Sequence, residues 1–148
     1  MLTDYMKRII KEQKIGYVAT VCADGTPNLS PKGTFVILDD QTILFSEIRS
    51  PITLENVLER PAMEINFLDL FSRKGVRLKG KALFIARDSD EFGKLIPLFV
   101  EWLNLQDRMN GIFKLQIEQA RHLTSPSYDI GLKEEDLRHH WKQYFTAL

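Results

Sequence analysis

Cysteine is all but absent: Cys22 stands alone in 148 residues. One thiol excludes an intrachain disulfide and any metal centre built on a cysteine cluster. An excess of either charge is also missing, because 20 basic and 20 acidic residues balance to a formal net charge of zero. Sequence-independent nucleic-acid binding rests on clustered positive charge, so this balance argues against nucleic acid as a partner. No apolar run approaches the roughly 20 residues that a membrane helix needs. The opening MLTDYMKRII has no apolar signal-peptide core, so a cytoplasmic protein with no membrane partner is expected. The G-x-S-x-G, Walker and G-x-G-x-x-G motifs are all missing, which removes the usual signals of a serine hydrolase, a P-loop and a dinucleotide fold. Histidine is scarce. His139 and His140 are helix neighbours that point about 100° apart, and His122 stands alone, so no metal site is expected.

What remains is globular composition, 44% hydrophobic and 10% aromatic, at a length that suits a single domain over residues 1–148. Leu2, Tyr5, Met6 and Ile9 recur at helical spacing, with Thr3 or Asp4 as cap. Residues 17–22 (YVATVC) read as a buried strand, and Asp24-Gly25 as a hairpin turn. A return strand over roughly 28–38 is expected to break near Pro31, and a third strand runs over 42–46. Ser50 and Pro51 suit the N-cap and first turn of a helix, with Leu54, Val57 and Leu58 as its buried face. Met63, Ile65 and Phe67 alternate along a fourth strand. Residues 75–86 give a fifth, with Val76, Leu78, Ala82 and Phe84 on one face and Arg77, Lys79 and Lys81 on the other. A helix from Ser89 carries Phe92, Leu95, Ile96, Phe99 and Leu103, kinked or split into two short pieces at Pro97. Phe113, Leu115 and Ile117 mark a sixth strand. A last helix starts near Lys133 with Leu137, Trp141 and Phe145 as its stripe. The fold class is therefore mainly β (α+β): six antiparallel strands that can close into a small barrel with helices packed outside.

Three segments could carry chemistry. In the 46–56 turn, a helix start offers free N–H groups and the positive end of a dipole, which suit a phosphate. Arg49, Ser50 and Thr53 add a cation and two hydroxyls, although taken alone they are explained more simply by a plain N-cap beside a surface Arg. In Ser30-Pro31-Lys32-Gly33-Thr34, a Pro and a Gly interrupt the ladder and let a ligand approach the backbone, or mark an edge strand with a bulge. The basic stretch Arg73, Lys74, Arg77, Lys79 and Lys81 is either a solvated face that protects an edge or a surface for nucleic acid. No general acid or base stands out, and the catalytic residues stay unassigned.

In their order and spacing these pieces resemble the FMN-binding split barrel of the pyridoxamine 5'-phosphate oxidase-like family. Gly16-Tyr17-Val18-Ala19-Thr20-Val21 looks like that family's first strand, followed by the acidic-Gly-x-Pro turn Asp24-Gly25-Thr26-Pro27. Asn28-Leu29-Ser30-Pro31-Lys32-Gly33 resembles its return strand, Thr53-Leu54-Glu55-Asn56-Val57 its hydroxyl-x-x-Asn turn, and Gly75-Val76-Arg77-Leu78-Lys79-Gly80-Lys81-Ala82 its V-R-x-x-G-x-A strand. The likeness covers about residues 5–87, with a tail through Trp141. It implies a six-stranded antiparallel split β-barrel working as a homodimer, with FMN at the subunit interface. It implies that Thr53 contacts the phosphate, with Asn56 in the same turn. Lys32 and Thr34 lie on the strand that lines the flavin, and Arg77 reaches the cofactor. Ser30, Gly33, Arg49, Ser50 and Lys74 complete the expected cofactor-binding set.

There are departures. Pro51-Ile52 stand where the family often has a Lys, which shifts the phosphate's charge partner to Arg49 or Lys32, or to Arg77 or Lys74 of a facing subunit. The C-terminus lacks the R-L-x-P-type substrate segment, which argues against vitamin B6 oxidation itself. The resemblance therefore implies an FMN-dependent oxidoreductase acting on an unidentified small molecule or redox partner. The alternative is a flavin electron carrier or store. Relatives also use a deazaflavin or haem, and sequence leaves both open.

Overall fold

Period-two alternation dominates the chain, and in the computed structural model, which describes Met1–Leu148, the alternating segments pair into one antiparallel sheet. In chain order the elements are α1 (Asp4–Gln13), β1 (Gly16–Val21), β2 (Pro27–Lys32), β3 (Phe35–Asp39), β4 (Thr42–Glu47), α2 (Pro51–Glu59), β5 (Ala62–Asp69), β6 (Lys74–Ala86) and α3 (Asp90–Leu95). Tight helical turns at Ile96–Leu98 and Val100–Arg108 then lead to β7 (Gly111–Thr124) and, after another such turn at Pro126–Tyr128, to α4 (Glu134–Thr146). No helix is long and apolar enough to cross a membrane.

The sheet has seven strands, not six, in the order β2-β1-β5-β6-β7-β4-β3. The return strand splits at Gly33-Thr34 rather than at Pro31, which stays in register opposite Tyr17. Proline is tolerated there because β2 is an outer strand, with no neighbour on its far side. This split also explains the closure. The two outer strands, β2 and β3, are consecutive in the chain, and the step from Lys32 to Phe35 reaches at most about 11 Å. A seven-stranded sheet whose outer edges lie that close must curl on itself. The result is a split barrel, with Gly33-Thr34 bridging its seam.

Inside the barrel, Phe35 meets Phe67 edge-on at 4.7 Å between ring centroids, and Phe45 stacks on Phe113 at 4.9 Å. Met6, Ile9 and Ile10 of α1 close one end over the same cluster. Thr3 caps that helix, its hydroxyl accepting from the Met6 N–H at 3.3 Å. A smaller cluster of Leu44, Ile85, Phe92, Leu95, Phe99, Met109 and Ile112 sits beneath α3 and the turns after it.

Several expectations change. β1 is half buried, with Tyr17 and Val21 facing outward. An antiparallel strand shows one face to the core, and the other is free to be apolar without being inside. Leu58 and Leu103 are exposed; on α2 Val57 is buried as expected, and Thr53 and Asn56 rather than Leu58 share its buried face. The helix through Pro97 breaks into short pieces, as expected. β6 lies in the middle of the sheet between β5 and β7, so its basic face protects no edge.

The β5–β6 turn is tied by Asp69, only 2% exposed. It accepts from the Phe71 and Ser72 N–H groups, from the Ser72 hydroxyl at 2.8 Å and from the Arg138 guanidinium at 2.6 Å. Burial pushes its carboxyl up, but these donors outweigh it and hold the group below the ordinary aspartate range. A depressed folded-state value means the stabilisation is present above the unfolded carboxyl's value and is lost as pH falls through the folded one. Asp69→Asn should therefore cost about 1–3 kcal/mol at neutral pH, and the difference should shrink on acidification. Urea unfolding of both proteins at neutral and acid pH checks this, and parallel curves would contradict it.

Candidate functional site

The seam of the barrel opens into a cleft of about 500 Å³. β2 brings Pro31 and Lys32 to one wall and the crossing supplies Gly33 and Thr34. Ser46 comes from β4, and Ile48 and Arg49 from the loop before α2. Arg108 and Asn110 arrive from the segment just before β7. Lys32 and Gly33 were expected at a ligand site, as were Thr34 and Arg49, and the fold gathers all four here. Three cations thus share one small cleft, with Pro31 and Ile48 as its apolar side chains.

The floor is rigid. Thr34 is buried and its hydroxyl lies 2.8 Å from that of Ser46, while the Ser46 N–H donates to Thr34 Oγ1 at 3.0 Å. At Gly33 a β-carbon would meet only the Lys14 carbonyl oxygen at 3.9 Å, so the backbone there is open to close approach. Beside the cleft, Glu47 is 3% exposed. It accepts from the Ser50 N–H at 2.6 Å, the Ser50 hydroxyl at 3.1 Å and the Asn110 amide at 2.8 Å. It therefore fixes the start of α2 and the Asn110 wall together. Burial pulls the Lys32 ammonium below the ordinary lysine value, and the Glu47 carboxylate works in the opposite direction. A partly desolvated ammonium gains more from an anion than an exposed one does.

The other expected residues lie elsewhere. Ser50 occupies the N-cap position of α2, but its hydroxyl serves Glu47 rather than the helix. Thr53 and Asn56 are almost fully buried in a separate polar knot. Asn28 donates to Thr53 Oγ1 at 3.2 Å and to Thr20 Oγ1 at 3.3 Å, and Asn56 donates to Thr20 Oγ1 at 3.0 Å. Ser30 is half buried on β2 and is not a wall of the cleft. Arg77 lies on the outer face of the sheet, 3.0 Å from Glu64 and within reach of Asn66 at 3.2 Å. Lys74 pairs with Glu134 at 2.6 Å beside the β5–β6 turn.

Sequence reasoning missed Arg108 and Asn110, which sit in an irregular stretch with no periodic signal. Ser46 fell inside the expected 46–56 turn but was given no role there, and in the structure it lies on β4, whose six residues are all buried. No group of three or more His, Cys, Asp or Glu side chains is placed to hold a metal ion.

In chemical terms the cleft offers three cations, two hydroxyls and open backbone. That donor set fits a dianionic phosphate, which wants charge-assisted hydrogen bonds from several sides. A family model described as pyridoxamine 5'-phosphate oxidase matches residues 2–123. No curated protein matches in sequence. Among solved structures, HupZ of Group A Streptococcus is 29% identical, over 84% of this chain and 96% of its own, with a TM-score of 0.71. A putative pyridoxamine 5'-phosphate oxidase from Lactobacillus delbrueckii is 26% identical, over 81% and 93%, at 0.69. HutZ of Vibrio cholerae, described as a heme storage protein, is 26% identical, over 83% and 94%, at 0.63.

Proposed function

Given that the chain belongs to the pyridoxamine 5'-phosphate oxidase family, we propose that the seam cleft holds the phosphate of FMN and that the protein is a flavin-dependent oxidoreductase. The observation that carries this reading is the convergence of Lys32, Arg49 and Arg108 with Thr34, Ser46 and open backbone in one cleft. Lys32 and the two arginines supply charge, and the Thr34–Ser46 pair supplies hydroxyls held in fixed positions. When bound, the flavin supplies the redox chemistry, and the protein orients it and sets its electrostatics.

The flavin ring needs more apolar cover than Pro31 and Ile48 give in this cleft. This supports a homodimer with the ring at the subunit interface. The outer sheet face offers material for self-association: Tyr17, Leu29, Leu68 and Leu123, with Glu64 and Asn66 beside them, line a mostly apolar groove of about 280 Å³. Arg77 lies on the same sheet face, where a facing subunit's cofactor would meet it. Light scattering with FMN present should give twice the chain mass of 17.2 kDa. A monomer mass would contradict the dimer.

The function itself is tested by the visible spectrum and mass of the ligand that purifies with the protein. A flavin spectrum with the mass of FMN is expected. Turnover of reduced nicotinamide with a panel of electron acceptors then separates an enzyme from a flavin carrier or store. The likeness to HutZ favours haem as the second reading. A haem spectrum with no flavin would replace the FMN assignment by that one. Histidine is the common protein ligand to haem iron, and the three histidines, His122, His139 and His140, are all exposed.

A further inference from the structure

A second cavity, of about 570 Å³, lies between the β5–β6 turn and α4. We propose that it is a separate binding site for a small planar organic carboxylate, with Arg73 as the residue that receives the acid group. Arg73 closes the β5–β6 hairpin turn with its backbone at φ +58°, in the left-handed region that such a turn uses. Its N–H donates to the Asp69 carbonyl at 2.8 Å and its own carbonyl accepts from Ser125 N–H at 3.0 Å. The guanidinium carbon lies 3.6 Å from the centroid of the Trp141 ring.

Stacked in this way, the guanidinium has no acceptor. Arg73 makes no ion pair, and both its Nε and the Trp141 Nε1 are buried without a hydrogen-bond partner. The neighbouring cations differ. Lys74 and Arg138 each have a carboxylate at 2.6 Å, from Glu134 and Asp69 respectively. Glu134 and Asp69 are thus engaged by other residues, and Asp136, which lines the cavity, is not paired with Arg73. An unpaired guanidinium with its face covered presents its edge, and that edge matches a carboxylate in a planar, two-point fashion. Leu132, Leu137 and the indole supply apolar packing for a ring, and Ser125 and Ser127 add hydroxyls. Every lining residue except Arg73 lies beyond residue 123, where the family match stops. The site is therefore a feature of this chain's own C-terminal segment, and it does not rest on the flavin reading.

Benzoate and its neutral counterpart benzamide are the probes, read by the ¹H–¹⁵N signal of the Trp141 indole, which is identified by its loss in Trp141→Phe. Benzoate should shift that signal and bind at least about ten-fold tighter than benzamide. Arg73→Met keeps the stem against the indole but removes the donors, and should weaken benzoate by about ten-fold or more. Asp136→Asn, at an exposed position that cannot disturb the core, should tighten benzoate several-fold by removing a like charge, about what one screened charge pair contributes. Equal affinity for the two probes, or no binding of either, would overturn the proposal. So would indifference of benzoate to Asp136→Asn. A benzoate response lost in Lys32→Met rather than in Arg73→Met would place the anion in the seam cleft instead, and would overturn it equally.

Discussion

Lys32→Ala is expected to raise the dissociation constant for FMN about ten- to hundred-fold, the loss that follows from removing a hydrogen bond to a charged group worth about 1.5–3 kcal/mol. Riboflavin, which lacks the phosphate, should bind nearly as before. Three cations line the cleft, but they are not equivalent. Arg49 and Arg108 are exposed, whereas Lys32 is half buried with its ammonium already destabilised by burial. An exposed charge is screened by water and salt, and removing it changes little. A partly desolvated one recovers its lost solvation from the ligand. Lys32→Ala should therefore cost more than Arg49→Ala, and it should also flatten the salt dependence of FMN binding. If Lys32→Ala binds FMN like the parent at both low and high salt, the phosphate has another partner.

The largest loss of stability is expected from Gly80→Ala. Gly80 sits at a register shift, where β6 pairs Lys79 with Gln119 but Gly80 with Ile117. A β-carbon at position 80 would fall on the carbonyl oxygen of Gln116, with the Gln116 carbonyl carbon at 2.9 Å and the Glu118 nitrogen at 3.1 Å. All three are backbone atoms of the central β6–β7 pair, so no side-chain rotation relieves the clash. The cost should be about 3 kcal/mol or more, lowering Tm by roughly 6–12 °C for a chain of this length. Gly93→Ala is the control. Nothing lies within 4 Å of a β-carbon there, and the residue is inside α3, so alanine should be neutral or stabilise by up to about 1 kcal/mol. Calorimetry on both variants checks the pair, and similar Tm values would show that the bulge yields.

Much of the fold is readable from residues alone, where a single local rule decides. The alternation in Met63, Ile65 and Phe67, the Asp24-Gly25 turn and the Pro97 break all follow from the backbone preferences of a few adjacent residues. The order of the motifs is enough to identify the family. Long-range pairing is not readable. Nothing local says that β2 and β3 lie on opposite edges of the sheet, so nothing local says that Gly33-Thr34 bridges a seam. Lys32 and Thr34 can be suspected because Pro31 and Gly33 interrupt a strand. Arg108 cannot, because an Arg in an irregular turn carries no pattern. The Thr53 and Asn56 side chains illustrate the opposite case. Their residue types fit a phosphate turn, yet within this chain their hydrogen bonds run to Thr20 and Asn28.

Recognition of a phosphate carried on a flavin is what we propose for the seam cleft. Its most direct test is titration of the unmodified protein with FMN and with riboflavin, each at low and high salt. Several charge-assisted hydrogen bonds to one phosphate should make FMN at least about a hundred-fold tighter than riboflavin, with a preference that shrinks as salt is added. Equal affinities for the two flavins, or a preference indifferent to salt, would contradict the account.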